Sequence, residues 1–304
     1  MHSDRPTKWL HRYSILLAVT TLFLVVAGAS VTSQEAGLSV PDWPLSYGKV
    51  MPEMTGGIFY EHGHRMVAST VGFLTIVLAV WLWRAESRTW MKRLGLVALG
   101  GVIAQGILGG MTVIFLLPKP VSISHACLAQ LFFSTTVAIA LFTSPGWKQG
   151  PRWVDAAGWP ARPLGALLVP GAVFVQLALG ASYRHKALGL VPHVLGAMVV
   201  AALVLFVSIF FITHYSRHRA LYSSAHALLI ITFAQVFLGL GAYMSRVDTA
   251  GSPQPMPLMV WFTVAHVALG ALTLASSIIL SIQVHRHVRR PFAAPQSHAI
   301  QVAG

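Results

Sequence analysis

A glutamate, two histidines and an arginine stand together in Tyr60–Thr70, YEHGHRMVAST, and the chain then runs uncharged from residue 66 to residue 83. These side chains move protons and hold metals near neutral pH. Glu61 and His64 are three apart, so a helical start stacks them on one face. His62 is only two from His64 and points elsewhere, which argues against a two-histidine metal site within this stretch. Three further histidines share the setting of His64: His125 in SHACLAQ, His193 in PHVLGAM and His266 in AHVALGA. Each of the four has a small residue one turn on (Ala68, Ala129, Ala197 and Gly270), which clears space beneath the imidazole. Only His64 has a carboxylate within a turn upstream, so the acid belongs to one site alone.

The elements that must position these residues are membrane spans. A chain of 304 residues with 10% charged residues and a mean hydropathy of +0.68 is too apolar for an ordinary soluble domain. Stretches free of Asp, Glu, Lys and Arg cover 13–34, 66–83, 94–118, 120–147, 163–183, 187–216, 220–245 and 249–285. A helix needs roughly 20 apolar residues to cross a bilayer, so these are eight candidate spans. Their continuity predicts helices rather than the alternating strands of a barrel. The first run lacks an A-x-A-like cleavage site and is expected to stay as an uncleaved span. No Arg- and Ser-rich transit segment precedes it, so the expected location is a bacterial cell membrane.

The net charge of +13 has a distribution that explains it. The N-terminus, the loops at 84–93, 148–162 and 217–219, and the C-terminal tail hold 15 of the 21 basic residues. In an eight-span topology these segments lie on one side, which the positive-inside rule makes cytoplasmic, with both termini. The charge is a topology signal, and no nucleic-acid partner is expected. His2, His11, His214, His218, His226, His285, His287 and His298 fall on that same side and read as interfacial or solvated; His185 falls in an outer loop. The sole cysteine, Cys127, lies within a span and reads as a small buried hydrophobe.

The chain also repeats itself. Q-x-x-L-G occurs at Gln105–Gly109, Gln176–Gly180 and Gln235–Gly239, each followed by a loop and then by a histidine of the next span. By itself the motif reads as helix packing, with Gly allowing close approach and Gln bonding across. The expected fold is all-α and polytopic, with eight transmembrane helices in two pseudo-symmetric four-helix bundles. Residues 1–147 form one half, 148–163 a cytoplasmic linker and 164–304 the other, related by an axis along the membrane normal.

Spans 2, 4, 6 and 8 start at the outer side, so the four histidines are expected at similar depth near that face. Two per half, facing across a four-helix bundle, can fill both axial positions of a haem iron. Interhelical hydrogen bonding is the other reading; four in register, each above a small residue, favour haem. Glu61 can then act on protons beside His64, or it can be one end of an interfacial salt bridge to Arg65. Arg65 can pair with that carboxylate or with a haem propionate.

These residues resemble the haem A synthase family over nearly the whole chain. The resemblance rests on Glu61-x-x-His64-Arg65, on the preceding GLSVPDWPLSYG (Gly37–Gly48) and on the single histidines at 125, 193 and 266. It implies haem b as cofactor between His193 and His266, and haem O as substrate between His64 and His125. Glu61 is then the catalytically important acid, and a ring methyl of haem O is hydroxylated twice and loses water to give the formyl group of haem A. An electron-transfer partner and a haem O-producing enzyme are further implied. Some relatives carry a cysteine pair in the first outer loop; the equivalent places here are Ser39 and Ser46, so a thiol relay through that loop is excluded. Two other classes fit the residues less well. A di-haem cytochrome that only moves electrons has no use for Glu61, and a transporter with rocking halves wants its polar groups at mid-membrane.

Overall fold

A computed structural model describes residues 5–157 and 168–289. Long helices dominate because a backbone in lipid must satisfy its own hydrogen bonds. They are α1 (Arg5–Ser33), α2 (Gly56–Ala85), α3 (Thr89–Ile114), α4 (Lys119–Thr143), α5 (Val169–Arg184), α6 (Leu190–His214), α7 (Arg219–Asp248) and α8 (Pro257–His287). Seven of them are long and apolar enough to cross a membrane, so the chain is an all-α, multi-pass membrane protein. The exception, α5, has 16 described residues, and the start expected for it at 163 lies outside the described residues.

Helices α1 to α4 pack in a closed ring of neighbours, and so do α5 to α8. The rings meet along α1 and α4 on one side and α5 and α8 on the other. Each ring has its own apolar centre, around Leu17, Val71, Leu78 and Ile139 in the first and Val204, Phe211, Leu228 and Leu280 in the second. A third cluster, of Val25, Phe133, Ala271 and Ala275, fills the seam between them.

Helices α1, α3 and α5 end alike. Glu35, Leu116 and Lys186 take left-handed φ values of 53°, 57° and 56° just past the last turn. Each donates its N–H three residues back, and the next residue donates five back: Ala36 to Val31 at 2.9 Å, Leu117 to Thr112 at 2.7 Å and Ala187 to Ser182 at 2.8 Å. This is the Schellman cap. It is built here on side-chain-bearing residues where glycine is usual.

The segment after α4 is docked on the second ring. A helical turn at Pro145–Lys148 leads to β1 (Val154–Asp155), which pairs in parallel with β2 (Val288–Arg289). His218 and His287, expected to be interfacial or solvated, are instead buried, with ring centroids 4.6 Å apart. Both engage the backbone of Arg152, at 3.0 and 3.1 Å, while the Tyr215 hydroxyl accepts from Ala157 N–H. Short polar-backbone segments need such partners once they leave water.

Candidate functional site

Each of the four histidines lies within the first three turns of an even-numbered helix, and each meets a glycine of the helix before it. A Cβ built on Gly28 of α1 would lie 3.0 Å from the His64 ring. The equivalent distances are 3.5 Å for Gly109 and His125, 2.9 Å for Gly180 and His193, and 2.8 Å for Gly239 and His266. Three of these glycines close the Q-x-x-L-G motif, and its glutamine reaches the same histidine. Gln105 donates to the His125 carbonyl at 3.0 Å; Gln176 bonds His193 at Nδ1 and at its carbonyl, at 2.9 and 2.8 Å. His266 Nδ1 bonds the Gln235 carbonyl at 3.0 Å, and the Gln235 amide nitrogen lies 3.4 Å from Nε2.

The motif read as helix packing thus holds the imidazoles in place, a function the residues alone did not disclose. Its regular spacing before each histidine was the available signal. For His64 there was none, because Leu24 stands where the glutamine would be. The expected clearing one turn past each histidine needs correction at His266: a Cβ on Gly270 would meet Leu177 at 3.0 Å and Gln235 at 3.3 Å, so other side chains already fill that space.

The His193 and His266 rings face each other with centroids 6.2 Å apart and planes at 88°. In the first ring of helices, Nδ1 of both His64 and His125 is buried without a hydrogen-bond partner. Between the two pairs lies the outer end of α5. Arg184 is within electrostatic reach of His266, and His185 of His125. Burial first, and the Arg184 charge second, hold the His185 imidazole below its ordinary value.

The polar tetrad in the second and third turns of α2 binds the loop between α1 and α2. Glu61 is 4% exposed and its carboxylate accepts from Val40 N–H at 2.9 Å and from Arg65 at 2.7 Å. Arg65 also donates to the carbonyls of Asp42 and Leu45, each at 2.7 Å. His62 is 6% exposed and its Nδ1 lies 2.8 Å from the hydroxyl of Ser46, which is fully buried. Asp42 shapes the loop by accepting from Gly48 and Tyr47 N–H. The Gly48 bond above all, with those backbone donors and the Arg65 charge, keeps its carboxyl below the usual carboxylate range. Trp43 of the same loop lies over Gly110, where a Cβ would approach the indole to 2.9 Å.

Arg65 therefore has Glu61 as its carboxylate partner, and its remaining donors hold loop carbonyls. Cys127 is half-buried and free, and no cluster of three or more His, Cys, Asp or Glu forms a metal site among the described residues. What the arrangement presents is two pairs of histidines, His193 and His266 in ring contact and His64 within electrostatic reach of His125. His64 stands one turn past the buried Glu61 carboxylate that holds a docked loop, and His193 and His266 are bonded by glutamines.

The profile of the COX15-CtaA family, described as cytochrome oxidase assembly protein, matches residues 53–289. Among curated proteins, the haem A synthase of Symbiobacterium thermophilum is 31% identical over 183 residues, covering 59% of this chain and 60% of that one, under two thirds of its length. The haem A synthase of Alkalihalophilus pseudofirmus is 24% identical over 278 residues, covering 79% and 89%. That of Beijerinckia indica is 26% identical, covering 90% of this chain and 86% of its own. With most of its length and all four bundle histidines inside the matched region, the chain belongs to the COX15-CtaA family of cytochrome oxidase assembly proteins.

Proposed function

We propose that the chain is a haem A synthase, an oxidoreductase integral to the membrane that converts haem O to haem A by oxidising a ring methyl to a formyl group. The observation that carries the assignment of sites is the unequal setting of the histidines, since His64 follows a buried carboxylate, Glu61, by one turn of α2. In this reading haem O docks as substrate in the N-terminal half, 1–147, and His64 and His125 are its axial ligands. The C-terminal half, 164–304, keeps haem b between His193 and His266. The closed rings of neighbours, the repeated histidine–glycine contacts and the three like helix caps support two pseudo-symmetric four-helix bundles, with 148–163 as the linker and α5 as the eighth span. The basic loops support cytoplasmic termini, histidines toward the outer face and a bacterial cell membrane.

The second pair fits a haem iron. Their ring centroids, 6.2 Å apart, are close enough that His193 and His266 would both reach one iron, which would supply redox chemistry there. His266 has its Nδ1 on a backbone carbonyl, the second partner that orients a ligating imidazole, and the Gln235 amide 3.4 Å from Nε2 would give way to a metal there. Haem b bound there supplies a one-electron redox centre; an electron-transfer partner and an enzyme that delivers haem O are its expected associates.

The chain's own part is orientation and charge. Glycines set how far each imidazole advances, and Gln176 and Gln235 also bond the rings of His193 and His266. Hydroxylating a methyl twice and losing water moves protons together with electrons that the electron-transfer partner must exchange, and Glu61, with Arg65 in contact, is the acid placed to give or take protons at its carboxylate oxygens. The same carboxylate anchors Val40, so the loop closes over the site only while Glu61 is in place and shields it from water.

Glu61→Gln tests this reading. The amide keeps an acceptor for Val40 N–H but loses the charge and the proton capacity. Haem b is expected to stay, while conversion of supplied haem O falls by about 10²–10⁴-fold, as for a lost acid–base group. Extracted pigments are separated into haem O, hydroxylated intermediate and haem A. Wild-type levels of haem A would reduce Glu61 to a loop anchor.

A further inference from the structure

At the basic end of the molecule, several helical turns from the histidine pairs, four segments border an open, shallow crevice of about 470 Å³. Trp90 of α3, Phe142 of α4, Trp147 and Trp153 of the segment after α4, and Ile282 and Arg286 of α8 line it. Trp90 and Trp153 are exposed. Indoles in such numbers at the end of membrane spans mark the depth of the lipid headgroups.

Arg286 is the cation of this crevice. Its guanidinium lies 3.6 Å over the Trp147 ring and donates from Nη2 to the Trp147 carbonyl. Nη1 is buried and has no hydrogen-bond partner among the described residues. No carboxylate is left to serve it among the described residues at this end: Glu86 is taken by Arg88 at 2.7 Å and Asp155 by Arg289 at 3.1 Å. Arg88 lies within electrostatic reach and adds to the positive charge. An arginine N–H with no acceptor among the described residues, on a partly buried side chain set among indoles, suits an anion.

We propose that this crevice binds an anionic phospholipid, with Arg286 Nη1 donating to the phosphodiester and the indoles covering the glycerol and the upper acyl chains. Basic pockets between transmembrane helices hold such headgroups. Free phosphate uses the guanidinium but not the aromatic lining. A zwitterionic headgroup brings its own cation toward Arg286 and Arg88, which repel it.

The full-length protein, purified with its haem, is exchanged into phosphatidylcholine nanodiscs with or without phosphatidylglycerol, released, and examined by native mass spectrometry for retained lipid. Phosphatidylglycerol should be retained roughly fivefold over phosphatidylcholine, the preference worth about one basic contact. Arg286→Gln should lose most of that preference at an unchanged haem-to-protein ratio. Since Arg286 also holds the Trp147 carbonyl, Trp153→Ala provides a second variant that touches none of its bonds; it too should lower phosphatidylglycerol retention. Equal retention of the two lipids by the wild type would overturn the proposal. So would wild-type preference in Trp153→Ala, or inorganic phosphate displacing the lipid at equal concentration.

Discussion

A methyl group added to the glycines that face the cofactor histidines should separate haem binding from folding. A Cβ at residue 239 would lie 2.8 Å from His266 Cε1, and one at residue 180 would lie 2.9 Å from His193 Cε1. Carbon atoms in contact sit about 3.5–4.0 Å apart, so each ring must retreat by roughly 0.6 Å or more. Neither ring is free to do so, because His266 is tied to the Gln235 carbonyl and His193 to Gln176. A binding constellation tolerates about 0.5 Å of displacement, and disturbing what orients a metal-bound histidine costs about 10–100-fold in affinity. Gly180→Ala and Gly239→Ala should therefore weaken haem b retention by about that factor. The helices themselves should not suffer, since alanine is the better helix former by about 1 kcal/mol. Gly109→Ala is the control: its Cβ lies 3.5 Å from His125, an ordinary contact, and turnover of haem O should stay within a few-fold of wild type. The assays are the pyridine haemochrome ratio of haem to protein and thermal unfolding followed by circular dichroism. If Gly239→Ala keeps the wild-type ratio and low-spin spectrum, the glycine does not set the ring position and the reasoning fails.

Three further outcomes are expected. In a Cys127→Ala background an impermeant thiol reagent on intact cells should label Val50→Cys, where the side chain is 81% exposed, and not Ser87→Cys; the reverse would invert the topology. Ser46 lies in the same loop as Val50 but is too deeply buried to serve as the probe. Arg65→Lys keeps the charge but cannot span Glu61 and the two loop carbonyls, so docking of the first outer loop should weaken by on the order of 1.5–3 kcal/mol; faster proteolysis within residues 40–50 is the readout, and unchanged cleavage would count against it. Asp42 has a folded value below its unfolded one, so its contribution to the loop is complete above the ordinary carboxylate range and is lost as pH falls through the depressed folded value. Hydrogen exchange at Tyr47 and Gly48 should show no loosening between pH 7 and pH 5, and a transition near pH 6 would contradict the Asp42 assignment.

Much of this was legible in the residues because membrane spans obey few rules. Charge-free runs located the helices, although the true ends pass the charges: α2 begins at Gly56, ahead of Glu61, His62 and Arg65, so the tetrad lies inside the helix rather than at its mouth. The four histidines stood out because a polar group in an apolar run has few reasons to be there. What escaped was everything that depends on a partner distant in sequence. Nothing in Glu61 or His62 announces Val40 or Ser46, which reach them only because the outer loop folds back over α2. Gly28 meets His64 across two helices with no local motif around it. His218 and His287 looked like solvated residues near the basic face until the segment at 151–157 covered them.

The seam between the two rings has a mechanical consequence. Val25, Phe133, Ala271 and Ala275 meet there as a packed layer. At its outer end Arg184 of α5 donates to the Ala29 carbonyl and the Ser33 hydroxyl of α1, at 2.8 and 2.6 Å. Close-packed interiors compress very little, so the rings cannot rock against each other without tearing this layer and leaving a guanidinium unpaired. Rocking of one ring against the other would have to break both of these contacts. If both histidine pairs hold haem, as proposed, the same packed seam fixes the separation across which an electron would have to pass.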